Sequence, residues 1–406
     1  MAEHWSGIAE KIIAKERAVA ERNRGRIPYT TGKMHVFDDW SGAEKISWWT
    51  NGFWGGMLWQ LWNATKEELF RESALDVEKR LDAVLLNYNG MDHDAGFRFM
   101  PTAVAHVRTD GCEAAKNRAL LAAANLTGRY NLNGGFIRAW NDFGDGRDTR
   151  GWAIIDCMMN LPLLYWASDE LSDPRFKQIA EAHAHTVISH FIREDGSVCH
   201  IAGFDPQSGS FLREYGGQGM SEGSSWTRGQ SWALYGFTLS ALHTGKELYL
   251  KTAMRIADRY IERIPADGLI PVDFDQDASC LWRDSTSAAI AACGLITLSG
   301  LLGGKVPEGL PPGERDTLRS RMSEELPGAG GRKEYRGACE RYLDAAKRLL
   351  LALDREDADY DPSHDELLTK CTAAYHDKEH NFPIIYGDYF FIEAIWKLTD
   401  RELFLW

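Results

Sequence analysis

Absences bound this sequence first. Its seven cysteines (112, 157, 199, 280, 293, 339 and 371) are odd in number and scattered, with no CxxC pair. That argues against a disulfide framework and leaves no zinc signature, so reduced thiols in a cytoplasmic protein are expected. No basic run interrupts a formal net charge of −13, which speaks against nucleic acid as a partner. No glycine-rich phosphate-binding loop is present. Residues 1–24 read as a charged amphipathic helix, without the apolar stretch and small-residue cleavage site of a signal peptide. No later run reads as long enough to span a membrane. The expectation is a cytoplasmic monomer or weak homo-oligomer with neither a membrane nor a nucleic-acid partner.

What is present is apolar and aromatic. Of 406 residues, 44% are hydrophobic and fifteen are tryptophan, many of them where a loop meets a helix. Six segments share one plan, a polar or glycine-bearing loop followed by a helix that is apolar nearly all round. They begin near Asn51, Asp94, Arg150, Thr227, Arg283 and Tyr386. A helix without a polar face is buried on all sides. Between them lie helices with one apolar stripe and one charged face, over about 67–88, 112–130, 174–193, 246–264 and 333–353, with 3–24 as the sixth. This alternation predicts an all-α fold, an (α/α)6 barrel of six inner and six outer helices. It spans residues 1–406 as one catalytic domain. The loops that lead into the inner helices would gather at one mouth. Two aromatic, glycine-rich stretches, 130–149 and 198–223, fall outside the repeat, and long ordered loops are usually functional. The segment at about 302–331 reads as a solvated surface insertion.

The most informative stretch is Ser224–Phe237. It follows the glycine-rich Gly216-Gly217-Gln218-Gly219 and presents Trp226, Arg228, Gln230 and Trp232 at a helix start. Indole faces stack on sugar rings and a guanidinium grips a carboxylate bidentately, so an acidic sugar explains both together. Because the protein is itself acidic, local arginines and histidines must overcome its overall field to hold such a ligand. Asp92-His93-Asp94 puts two acids and a histidine in a turn, where Asp94 could also serve only as a helix cap. Asp156 falls inside the apolar run Trp152–Met159, predicted to be helical. A carboxylate there is paired, or raised in pKa as general acids are. Its alternative role is a structural partner for a nearby Arg or Trp N–H. His200 and Trp140 sit in the two long loops, and Trp48-Trp49 precede the first inner helix. Arg283-Asp284-Ser285 fits an N-cap salt-bridge cluster equally well.

Trp48–Trp54, Asp92–Phe97, Asp156, Ser225–Gln230 and Gly387–Phe391 together resemble the unsaturated glucuronyl hydrolases, glycoside hydrolase family 88, from about Ile46 to Lys397 and in the family's order. The resemblance implies an (α/α)6 barrel that removes a terminal 4,5-unsaturated uronic acid from lyase-generated oligosaccharides by hydrating the double bond. It assigns Asp156 as the acid that protonates C4 and the base that activates water for C5. Asp94, with His93, would hold the ring hydroxyls. Trp48, Trp140 and Trp232 would form apolar walls and Trp226 would stack. His200, Gln218 and Arg228 would contact the substrate. No metal or cofactor is implied.

The segment 369–381 does not align with the serine- and lysine-bearing loop of members that accept sulfated disaccharides, so the parent polysaccharide stays open. Other readings of the same barrel are an unsaturated rhamnogalacturonyl hydrolase, an ordinary inverting glycosidase and a non-catalytic acidic-sugar-binding protein.

Overall fold

The structure, a computed structural model, describes residues 2–142, 144, 146–325 and 333–406. Outer and inner helices alternate along the chain. Outer α1 (Ala2–Arg22) precedes inner α2 (Asn51–Thr65) and outer α3 (Glu68–Leu85). The second inner helix is interrupted. Its first part, α4 (Ala95–Phe99), passes through a π turn at Met100–Val104 into α5 (Ala105–Asp110). Pro101, which has no N–H to give the ladder, sits in that turn.

Outer α6 (Glu113–Thr127) leads to two small sheets. In the first, β1 (Tyr130–Asn131) pairs with β2 (Phe136–Ile137). In the second, β3 (Trp152–Ile154), β4 (Ile201–Phe204) and β5 (Phe211–Tyr215) run antiparallel in that order. Four of these five strands, all but β3, fall within the two stretches that stood outside the helical repeat. A 3-10 turn (Ile155–Met159) runs from β3 into inner α7 (Leu161–Leu171), which is followed by outer α8 (Pro174–His190). Inner α9 (Thr227–Thr244), outer α10 (Glu247–Arg263) and inner α11 (Ser285–Leu302) come next. The chain then adds α12 (Pro312–Glu325), outer α13 (Lys333–Glu356) and inner α14 (Ile385–Leu398).

Each inner helix packs on the next, α2 on α4, α4 on α7, α7 on α9, α9 on α11, α11 on α14 and α14 back on α2. The ring is closed and matches the expected (α/α)6 architecture. Small residues let its members touch. A Cβ on Gly52 would lie 2.2 Å from the Phe97 carbonyl oxygen, so α2 and α4 meet backbone to backbone only because position 52 is glycine. By length and composition α11 could cross a membrane, contrary to the sequence expectation, but 89% of that window is buried by its neighbours.

The ends of the inner helices remote from the loops are closed by residues 401–406. The side chain of Gln60 exchanges two hydrogen bonds with the backbone of Leu403, 2.7 and 3.0 Å long. Trp406 is fully buried along the barrel axis, stacked 5.9 Å from Phe390 and meeting Phe53 and Phe97. Beside it, α12 is not simply solvated as expected of an insertion. Leu318 and Met322 are buried, and Arg321 binds Asp169 at 2.9 Å. Residues 326–331 of that segment lie outside the described residues.

Candidate active site

The loops before the inner helices converge at the open end, and Asp94 and Asp156 are brought together there by a residue that sequence reasoning passed over. Asn160 donates through Nδ2 to Asp94 Oδ1 (3.2 Å) and to the Asp156 carbonyl (3.2 Å). Its Oδ1 accepts the Phe97 N–H at 2.7 Å. Asp94 occupies the N-cap position of α4, yet its carboxylate makes no capping bond. The bland role considered for it is therefore not the one it plays. Asp92 instead pairs with buried Arg98 at 2.7 Å, and Arg98 donates to the Ser47 carbonyl at 2.7 Å. His93 Nε2 lies 3.4 Å from Asp94 Oδ2. Burial holds His93 down at about 3, so it is neutral at ordinary pH. Burial, then the charge of Asp92, pushes Asp94 well above the usual carboxylate range.

Asp156 is not inside a helix. It is the second residue of the 3-10 turn that leaves β3. The sheet explains its surroundings. β3 and β4 pair Ile154 with Ile201, and Ile155 N–H donates to the His200 carbonyl at 3.1 Å, which sets His200 opposite Asp156. His200 Nδ1 accepts the Gln218 N–H at 2.9 Å, so in the neutral ring the proton sits on Nε2. That Nε2 faces Asp156 Oδ1 at 3.8 Å. Burial keeps His200 neutral, at about 3, helped by the positive charge of Arg228. The approach depends on Gly217, which takes φ +57 and whose Cβ would fall 1.9 Å from His200 Nδ1. Burial raises Asp156 to about 7, against the opposing pull of Arg228. Its side chain keeps 14% exposure. Asp156 Oδ1, His200 Nε2, His93 Nδ1 and Trp226 Nε1 are all buried without a hydrogen-bond partner among the described residues. Buried polar atoms are normally satisfied, and a cluster that is not is equipped to receive a polar ligand.

Arg228 corrects the sequence reading. Its guanidinium is 1% exposed and is held by Asp284 Oδ2 (2.5 Å), the Thr372 carbonyl (2.8 Å) and the Ala373 carbonyl. Its charge still acts on Asp156, and it stacks 4.6 Å over Trp226, which in turn meets His200 at 4.4 Å. Gln218 Nε2 donates to Ala373 O at 3.0 Å, so Gln218 and Arg228 clamp one loop. Trp48 is 38% exposed on the rim, and Trp140 is half-buried 6.1 Å from Trp152. Trp232 does not face the mouth. It has no exposed surface and packs behind the wall against Phe97 (5.0 Å) and Phe390 (5.5 Å), because its position on α9 points into the ring. Among the described residues no three His, Cys, Asp or Glu side chains converge as metal ligands would.

The Glycosyl Hydrolase Family 88 model matches residues 19–285. An unsaturated glucuronyl hydrolase of Bacillus sp. (strain GL1) is 35% identical over 364 residues, 88% of each chain. The chain belongs to glycoside hydrolase family 88.

Another relative, an unsaturated chondroitin disaccharide hydrolase of Streptococcus pneumoniae (strain ATCC BAA-255 / R6), is 36% identical over 249 residues, 61% of this chain and 62% of that one. The crystal structure of the unsaturated glucuronyl hydrolase from Bacillus sp. GL1 superposes with a TM-score of 0.81 at 31% identity, covering 98% and 97% of the two chains. A UGL variant solved with dGlcA-Glc-Rha-Glc gives the same TM-score, identity and coverage.

This family 88 chain is thus a glycosidase. Two of its site residues had left weak signals in the sequence. Asn160 is a polar residue at the end of the same apolar run that holds Asp156, and could have been flagged on the same ground. Asp284 was weighed as part of an N-cap salt-bridge cluster with its neighbours, with no partner on another helix. It does cap α11, accepting from Ser287 N, but it also carries the buried pair with Arg228.

Proposed function

We propose that this protein removes the terminal 4,5-unsaturated uronic acid from lyase-generated oligosaccharides by adding water across C4=C5. The observation that carries this is Asp156, an acid poised near neutrality with an unpartnered oxygen, flanked by a neutral His200 N–H and the fixed charge of Arg228. The relatives that act on unsaturated glucuronyl and unsaturated chondroitin substrates support the same substrate class for this chain. In the reading we favour, protonated Asp156 gives its proton to C4 while a water oxygen bonds to C5. The Asp156 carboxylate takes up the proton that the water loses. The resulting hemiketal at C5 opens, and the aglycone sugar leaves with its oxygen. Asp94, its pKa raised by burial and by the charge of Asp92, hydrogen-bonds a ring hydroxyl beside His93.

Labelling tests the reaction type. In D₂O and H₂¹⁸O the uronate product is expected to carry deuterium at C4 and ¹⁸O at C5. Label at C1 without deuterium at C4 would mean attack at the anomeric carbon, and the hydration reading would be wrong.

A pH dependence follows from the same group. The acid form of Asp156 is required and its folded value is about 7, raised from 3.8. Activity is therefore expected to be present below pH 7 and to fall about tenfold per unit well above it. Both histidines stay neutral through this range, so no histidine limb is expected near pH 6. A profile of kcat/KM that is flat from pH 6 to 9 would remove Asp156 from the acid role.

A further inference from the structure

The two acids come from different elements, yet one backbone segment, residues 137–141, touches the approach to both. Ala139 accepts the His93 N–H at 3.1 Å and donates its own N–H to the Trp152 carbonyl at 2.8 Å. His93 is the chain neighbour of Asp94, and Trp152 opens the strand that leads into the turn bearing Asp156. Ala139 is fully buried and packs with Ile154 and Ile201, the cross-strand pair that sets His200 opposite Asp156. The peptide groups of this one residue therefore join the two acid-bearing segments.

The segment is held by Arg129, which follows α6 and which no sequence motif marks. Its Nε donates to the Arg138 carbonyl and its Nη2 to the Ala139 carbonyl, both at 2.9 Å. Its Nη1 reaches across to the Met91 carbonyl (3.1 Å) and to Asn141 Oδ1 (2.9 Å). Asn141 completes the bracket, giving its Nδ2 to the carbonyls of Met91 (2.8 Å) and Asn89 (3.2 Å). None of these acceptors is a carboxylate. A guanidinium spent on carbonyls serves through its planar fork, which holds several acceptors in one fixed geometry. At the other end of the segment stands His183 of outer α8. It is fully buried, and its Nδ1 accepts the Ile137 N–H at 3.0 Å. The segment is pinned at both ends.

We propose that Arg129 is a positioning residue, which sets Asp94 and Asp156 at their working separation through the 137–141 segment. It acts through Met91 on the side of Asp94 and through Ala139 on the side of Asp156. The inference rests on the acid role proposed above for Asp156 and adds what keeps that acid in place.

Arg129→Lys tests this, because it keeps the charge and loses the fork. Its kcat/KM on an unsaturated chondroitin disaccharide is expected to fall by about 10–100-fold, the effect of misplacing reacting groups by about 1 Å. The falling limb of the pH profile should also move about one unit below its wild-type position near 7. A loosened β3 lets water reach Asp156 and weakens the burial that raises it. The groups that face Asp156 are His200, Arg228, Asp94 and Cys157, and the substitution leaves all four chemically unchanged. Hydrogen exchange should quicken over residues 92–97 and 152–157 and stay at the wild-type rate in α10 and α13. Asn141→Ala, at a half-buried position, should move the three readouts the same way by less, and it carries the test if the lysine variant does not fold. A variant that melts lower but keeps wild-type kcat/KM, limb and exchange overturns the inference and leaves Arg129 a structural residue. Quickened exchange with unchanged kinetics overturns it too. A wild type without a falling limb instead removes the acid role of Asp156, while exchange and kcat/KM in the variants still decide on Arg129.

Discussion

Asp156→Asn is expected to lower kcat by about 10²–10⁴-fold with little change in KM, since the amide keeps the shape and loses the proton. The structure adds a second readout. Because burial raises the folded pKa of Asp156 to about 7, the native state holds a proton that the unfolded chain has released between about pH 4 and 7. Stability therefore falls as pH rises through that window, and the loss is complete above it. An uncharged Asn escapes this cost. The variant should melt higher than the wild type at pH 8, and the gap should narrow toward pH 4. A slow enzyme with unchanged or lower Tm at pH 8 would show that Asp156 is well paired in the resting protein. Wild-type turnover in the variant would remove it from the mechanism altogether.

The second large effect is on folding. Arg228→Ala is expected to destabilise the protein by about 3–5 kcal/mol, the usual result of stripping one partner from a buried pair. Asp284 is fully buried, and burial already raises its pKa against the pull of Arg228. Without the guanidinium, a lone carboxylate and the carbonyls of Thr372 and Ala373 lose their donor. Arg228→Lys should recover little, because one ammonium cannot reproduce the fork that reaches three acceptors. Urea unfolding midpoints measure this directly. A loss below about 1 kcal/mol together with a raised KM would return Arg228 to the role of a ligand clamp. The sequence placed a carboxylate of the ligand against Arg228, and the structure places a carboxylate of the protein there.

That substitution marks the limit of what could be read in advance. The inner and outer helices were legible because their signal is local: a run such as Ala288–Leu295 has no polar face, and 69–77 has one. The acid at 156 was legible because it stands in an apolar run, and the acid at 94 because it shares a turn with Asp92 and His93. Their geometry was not. Asp156 meets His200 only because Ile154 pairs with Ile201 across a sheet whose strands are too short to leave an alternating pattern. Asp284 meets Arg228 because neighbouring inner helices start side by side at the mouth. Trp232 was placed on the wall because it shares a stretch with Trp226. Trp226 stands just before α9 and Trp232 within it, and the two point in different directions, one toward His200 and the other into the ring.

The closure of the ring has a kinetic consequence. The last inner helix, α14, is sealed against α1 and α2, which lie at the other end of the described chain. An open stack of hairpins can nucleate anywhere and fray from its ends, since each unit needs only its neighbours. A closed one must bring distant segments together before the final helix is covered, and the loop entropy of that step precedes its reward. The barrel should therefore fold slowly, and protection from hydrogen exchange in α14 should appear no earlier than in α1 and α2.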